Sequence, residues 1–381
     1  MSNKKHKYYI IAGEASGDLH GGNLVAALKT LEPDCEIRGW GGDKMQAAGM
    51  EVVKHYKDLA FMGFVEIVMN LRTILRNLSF CKKDVLAFQP DALILIDYPG
   101  FNLRIAKWAK SQGLKVIYYI SPQVWAWKEG RVKMMKRCID KMLVILPFEK
   151  EYYQNKWNWT VDYVGHPLIE EIGQKKKNRT DLIIKDSAGQ PVTRPVIALL
   201  PGSRKQEIEK KLPVMLAVST HFPDYQFVVA QAPAVDDAFY AQFTTQYPNV
   251  STVNNRTYDV LLQATAALVT SGTATLETAL FGVPEVVCYK GSAISYQIAK
   301  RVISIKYISL VNLIMDKEVV KELIQDEMNE KNIIAELQAL LFDGQRKEQM
   351  KTDYEKLHQV LSAGGDASRQ AAEIIVQLVA Q

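Results

Sequence analysis

Short apolar runs alternate with longer stretches of helical periodicity along almost the whole chain. KYYIIAG, CEIRGW, DALILID, KVIYYIS, KMLVILP and VDYVG fall in the first half; VIALLPG, QFVVAQA, ALVTSG and PEVVCYK fall in the second. That alternation predicts α/β units built on parallel sheets. Runs such as 92–96 and 142–146 are apolar at nearly every position, which a strand shows when helices cover both faces of its sheet. With 381 residues there is material for two such units, at roughly 100–200 residues each. The composition shifts at GHPLIEEIGQKKKNRTDLIIKDSAGQPVTRP, with a basic run and scattered Gly and Pro. The expected organisation is therefore a first doubly wound unit over 1–165, a linker over 166–195, a second unit over 196–350 and C-terminal helices over 351–381. Gly364 and Gly365 precede the last helix, Ala367 to Ala380, with Asp366 as its N-cap. These helices return to the first unit or cross to a second copy, so a homodimer stays open. Ligands in such sheets bind beyond the carboxyl ends of the strands, and two facing units would place the active site in a cleft.

Composition excludes more than it selects. Lys plus Arg exceeds Asp plus Glu by 47 − 42 = 5, too little to argue for nucleic acid. Cys35, Cys81, Cys138 and Cys288 are far apart, which fits neither a zinc ribbon nor a disulfide framework. No apolar run is long enough to span a membrane, so the chain reads as cytoplasmic, with any membrane contact peripheral. The histidines show no HExxH spacing, and there is no D-x-D pair and no GxSxG, so neither metal nor cofactor is called for.

Four segments can carry chemistry. The first strand runs into AGEASGDLHGGN, which matches neither the dinucleotide fingerprint nor a P-loop. Glu14, Ser16 and Asp18 would project there, at the carboxyl end of the strand, where sugar hydroxyls can be held, and the helix is expected to begin near Leu24. Asp97 ends the strand DALILID and is the general-base candidate, although a strand-end Asp is also a common turn former. LLPGSRKQEIEK places Gly202, Ser203 and Arg204 at a helix start, with Ser203 and Gln206 spaced as a capping box; free N–H groups and an arginine there suit a pyrophosphate. A second junction, SGTATLE, puts Ser271, Gly272, Thr273 and Ala274 in a small-residue turn, and Glu277 one turn into the helix, where a carboxylate can accept from a ribose diol. Together the two junctions favour a nucleotide diphosphate. Trp125 and Trp127 in SPQVWAW read as packing.

From Leu59 to Phe80 apolar residues recur at helical spacing, Met62, Phe64, Val65, Val68, Met69 and Leu75 among them, with Arg72 and Arg76 on one face. Such a stretch either buries both sides in a core or lies partly inserted at an anionic lipid surface.

At AGEASGD, FMGFVEI, ILIDYPGFN, SPQVWAW, LPFEK, VGHP, LLPGSR and SGTATLE the chain resembles the lipid-A-disaccharide synthase family, almost from end to end. The resemblance implies a GT-B fold, two Rossmann-like units facing a cleft. It implies an inverting glycosyltransferase that moves 2,3-diacylglucosamine from its UDP conjugate onto the 6-hydroxyl of 2,3-diacylglucosamine 1-phosphate, giving a β(1→6) disaccharide and UDP. Carried onto this chain it makes Asp97 and Arg204 essential and assigns UDP to Gly202, Ser203, Arg204, the Ser271–Ala274 turn and Glu277. It puts Glu14, Ser16, Asp18 and Asn312 on the sugar side and docks the region from Met62 to Leu75 on the cytoplasmic face of the inner membrane of a Gram-negative cell. The family often carries a second Asp where this chain has Gly100, and a Pro where it has Val311. The enzyme alternative is another GT-B protein acting on UDP-N-acetylglucosamine, a transferase to a different lipid or a 2-epimerase; the alternative from another class is a silent binding protein.

Overall fold

The computed structural model describes residues 5–59, 71–178, 183–185, 189–233, 235–292 and 306–381. They divide into two compact units, the first made of Met1–Pro167 and Leu361–Gln381, the second of Leu168–Val360.

The first unit is a parallel sheet of β1 (Lys7–Ala12), β2 (Glu36–Gly41), β3 (Glu51–His55), β4 (Ala92–Ile96), β5 (Val116–Tyr119), β6 (Lys141–Val144) and β7 (Asp162–Tyr163), in the order β3-β2-β1-β4-β5-β6-β7. Successive side chains of β1 enter opposite cores, Tyr9 and Ile11 on one face, Tyr8, Ile10 and Ala12 on the other, and all are fully buried. That explains the unbroken apolar runs, since both faces are covered. The helix after β1 begins at Ala15, not near Leu24. Gly21 and Gly22 are helical residues whose missing Cβ atoms admit Met45 and Lys44 of the short helix Asp43–Ala47, so they serve close packing and not a turn.

The second unit repeats the plan with β8 (Val196–Leu200), β9 (Gln226–Gln231), β10 (Val250–Asn254), β11 (Ala264–Val269), β12 (Glu285–Tyr289) and β13 (Lys321–Ile324), in the order β10-β9-β8-β11-β12-β13. The segment expected as a linker contains a helix, Leu168–Lys177, whose Lys175 is ion-paired to Asp259 at 2.7 Å. The two C-terminal helices part company. Most of Gly344–Ser362 belongs to the second unit, while Ala367–Ala380 packs on Ala15–Leu31 of the first. Asp366 caps that last helix, accepting from the Arg369 N–H at 2.8 Å. All four cysteines are buried free thiols. No helix among the described residues is long and apolar enough to cross a membrane.

Candidate functional site

In both sheets the chain winds outward from a first strand in one direction and then restarts on that strand's other side. The switch falls between β1 and β4 in the first unit and between β8 and β11 in the second. At such a point two neighbouring strand-to-helix turns diverge and leave a crevice at the carboxyl ends of the strands.

In the first unit Ala12 lies beside Ile96, so the turns that follow, Gly13–Glu14 and Asp97–Tyr98, are neighbours. Gly13 is obligatory here, because a Cβ would come within 2.3 Å of the Tyr98 ring. Asp97 and Tyr98 both take positive φ, 43° and 48°, without being glycine. Such residues cost about 1–3 kcal/mol each and persist only where their surroundings hold them. The Asp97 carbonyl accepts from the Tyr118 hydroxyl at 2.5 Å and from the Asn102 amide at 2.8 Å. The Asp97 N–H donates to the Tyr119 carbonyl at 3.1 Å. Every backbone polar group of Asp97 is thus spoken for, and its carboxyl is half-buried, with a hydrogen bond from the Tyr98 backbone. Burial, reinforced by the Glu14 carboxylate, pushes its pKa up to about 6.

Glu14 and Ser16 are exposed at the start of the Ala15–Leu31 helix. Asp18 does not join them. Its buried carboxylate accepts from the N–H groups of Gly42 at 2.7 Å, Lys44 at 3.1 Å and Met45 at 3.1 Å, capping the Asp43–Ala47 helix. An acid committed to three backbone donors is a framework residue.

In the second unit Val269 lies beside Leu200, and the turns beyond them enclose a cavity of about 470 Å³. Gly202, Ser203, Arg204, Ser271, Gly272, Thr273, Ala274 and Glu277 all line it, together with Glu207 and Thr270. Gly202 and Gly272 hold φ of 125° and 141°, which other residues rarely adopt. The expected Ser203–Gln206 capping box is not formed: the helix starts at Lys205, Arg204 is its N-cap residue, and no side chain caps it. The Thr273–Phe281 helix is likewise uncapped by any side chain. Three other helices of this unit are capped by Asp236, Ser309 and Asn329. The short Thr257–Leu261 helix also lacks a side-chain cap. The starts of the Lys205–Ser219 and Thr273–Phe281 helices lie in the cavity lining, where free N–H groups and positive dipole ends suit an anion. Arg204 sits at the mouth, held by Glu207 at 3.0 Å. Glu277 accepts from the Tyr258 hydroxyl at 2.9 Å, and burial pushes its pKa up to about 7 against that hydrogen bond. Ser271 is tied by its hydroxyl to the Ile308 carbonyl at 2.8 Å.

Asn312, expected on the sugar side, is fully buried and consumed by the framework. Its amide oxygen accepts from the N–H groups of Val319 and Val320, and its NH₂ donates to the Val320 carbonyl and Glu322. Met62, Phe64, Val65, Val68 and Met69 lie outside the described residues. Arg72 and Leu75 are on the helix Leu71–Phe88, where Leu75 and Phe80 are exposed apolar side chains beside exposed Arg72 and Arg76. Trp125 packs edge-on against Phe148 and donates to buried Glu149, whereas Trp127 is exposed, with the Lys128 ammonium 3.9 Å from its ring centre. Lys211 and Thr270 were invisible to sequence reasoning, because nothing local marks which lysine of KQEIEKK turns inward.

Two doubly wound units, each with a topological switch point, make up the architecture of the GT-B fold. Solved structures share the architecture across the chain: the glycotransferase of kitacinnamycin superposes with a TM-score of 0.68 at 14% identity, covering 99% of this chain and 100% of that one. The UDP-GlcNAc 2-epimerase from Neisseria meningitidis gives 0.63 at 13% identity, covering 98% of each chain. Within that class the sequence is decisive. The family model for lipid-A-disaccharide synthetase matches residues 8–379, and the lipid-A-disaccharide synthase of Syntrophus aciditrophicus is 41% identical over 368 residues, 95% of each protein. The chain belongs to the lipid-A-disaccharide synthase family.

Proposed function

We propose that the chain transfers 2,3-diacylglucosamine from UDP to the 6-hydroxyl of 2,3-diacylglucosamine 1-phosphate, releasing UDP and the β(1→6)-linked disaccharide 1-phosphate. The observation that carries the reading is the Asp97 carboxyl, held on a strained switch-point turn with its pKa pushed up to about 6. A base with a pKa just below neutral is mostly ionised at pH 7, yet still basic enough to take a proton in the transition state. The acceptor oxygen attacks the anomeric carbon, its proton passes to Asp97, and the bond to the diphosphate breaks with its electron pair leaving on UDP. Inversion follows from attack on the face opposite the leaving group.

The charge that develops on the diphosphate needs fixed donors. Arg204 and the uncapped starts of the Lys205–Ser219 and Thr273–Phe281 helices supply them, and Glu277 would accept from the ribose. Glu14 and Ser16 are the sugar-side groups of this reading. The exposed Arg72, Leu75, Arg76 and Phe80 support a peripheral approach to the cytoplasmic face of the inner membrane, with apolar side chains at acyl level and arginines among anionic headgroups.

Mass spectrometry of the products formed from the two lipids tests the reaction directly. The expected species is the disaccharide 1-phosphate, with UDP in equal amount. Turnover of the sugar nucleotide with no acceptor present would favour an epimerase and end this reading.

A further inference from the structure

The second unit has a buried cation beneath its cavity. Lys211, on the helix Lys205–Ser219, is only 2% exposed. Burying an ammonium is expensive unless it is paired and fully hydrogen-bonded. Its carboxylate neighbour, Glu207, is 3.9 Å away, and that same carboxylate holds Arg204 at 3.0 Å. Two cations therefore share one anion, and one positive charge is left over under the turn. The turn rests directly on this group: a Cβ at Gly202 would lie 2.7 Å from Glu207 Oε2 and 3.4 Å from Lys211 Nζ. Burial pushes the Lys211 pKa down while Glu207 opposes the shift.

Lys211 Nζ also donates to Thr270 Oγ1. An ammonium can only donate, so this bond occupies a lone pair of the hydroxyl and leaves its proton to be given to another acceptor. Thr270 lines the cavity, and its N–H is anchored on the Leu200 carbonyl at 2.8 Å.

We propose that Lys211 is a positioning residue for the diphosphate of the ligand, supplying the uncompensated charge under the cavity and turning the Thr270 hydroxyl into a donor toward it. This rests on the nucleotide diphosphate reading of the cavity. Stability and binding then pull in opposite directions at one residue. An apolar side chain at 211 would relieve desolvation in the core while removing charge from the site.

Calorimetric titration of the full chain with UDP, uridine and inorganic pyrophosphate tests this in the wild type, Lys211→Met, Thr270→Val and the double variant. In Lys211→Met, UDP binding is expected to weaken about tenfold, uridine binding to change less than twofold, and Tm to stay level or rise. Thr270→Val should weaken UDP severalfold, and the double variant should bind within twofold of Lys211→Met, because both lesions interrupt one chain of donors. Wild-type UDP affinity in Lys211→Met would overturn the proposal, as would a fall in Tm with equal losses for UDP and uridine. A wild type that binds pyrophosphate in a Lys211-dependent way but not UDP would remove the uridylate reading and keep this one; binding of neither would remove both.

Discussion

The two switch points solve the same geometric problem with opposite chemistry. In the first unit the turn beyond β4 puts non-glycine residues, Asp97 and Tyr98, into left-handed conformations and holds them there with Tyr118 and Asn102. In the switch-point turns of the second unit the positive-φ positions are glycines, Gly202 and Gly272. A strained aspartate presents a side chain; an unstrained glycine presents backbone. On the proposed reading, the first turn offers a carboxyl at a fixed place and the second lets an anion approach main-chain N–H groups.

The largest expected effect comes from removing that carboxyl. Asp97→Asn should cut turnover by about 10²–10⁴-fold while leaving UDP affinity, measured by calorimetry, within twofold; retained turnover would break the contrast between the units. In the wild type, kcat/KM should fall about tenfold per pH unit below about pH 6, as the base is protonated. Stability runs the other way. A carboxyl whose folded pKa lies above its unfolded value contributes stability that is full below the unfolded value, near pH 4, and is lost as pH rises through about 6. Asp97→Asn should therefore raise Tm relative to wild type more at pH 8 than at pH 4, and equal differences at the two would show that Asp97 titrates normally.

Next in size is the glycine side of the contrast. Gly202→Val places a branched side chain at φ 125° against the Glu207 carboxylate, and should weaken UDP binding by about a hundredfold, roughly 2.7 kcal/mol. Unchanged affinity would mean that the ligand does not use this turn. The smallest effect sharpens the picture of strain. Tyr118→Phe removes one hydrogen bond to the Asp97 carbonyl, about 1 kcal/mol, so chemical denaturation should show a loss of that order and turnover should drop severalfold with KM little changed.

With the exception of the half-buried edge strand β7, the strands legible in the sequence are apolar and largely buried. Three were not legible, EVVKH, VSTVN and KELI, and they form β3, β10 and β13, each an edge of its sheet. An edge strand has a neighbour on one side only and carries polar residues that break the apolar run. At the site the turn chemistry of PGSR and SGTAT was readable because glycine and small residues act locally. Asp18 and Asn312 were misplaced because a polar side chain near a helix start looks alike in sequence whether it faces a ligand or holds neighbouring backbone. The commitment of Asp18 to the Gly42, Lys44 and Met45 N–H groups is a contact between residues more than twenty positions apart. No local pattern encodes it.

By itself the sequence determined the alternation of strand and helix, the parallel character of both sheets and the residues that end the inner strands beside the site, because periodicity and turn chemistry are set by neighbours along the chain. Only the tertiary structure decided strand order. It seats β1 beside β4 and β8 beside β11, which brings Glu14 to Asp97 and the PGSR turn to the SGTAT turn, and sends Lys211 inward beneath Thr270. That choice belongs to burial: which strands pair, and which charge is enclosed, depends on how whole faces pack together.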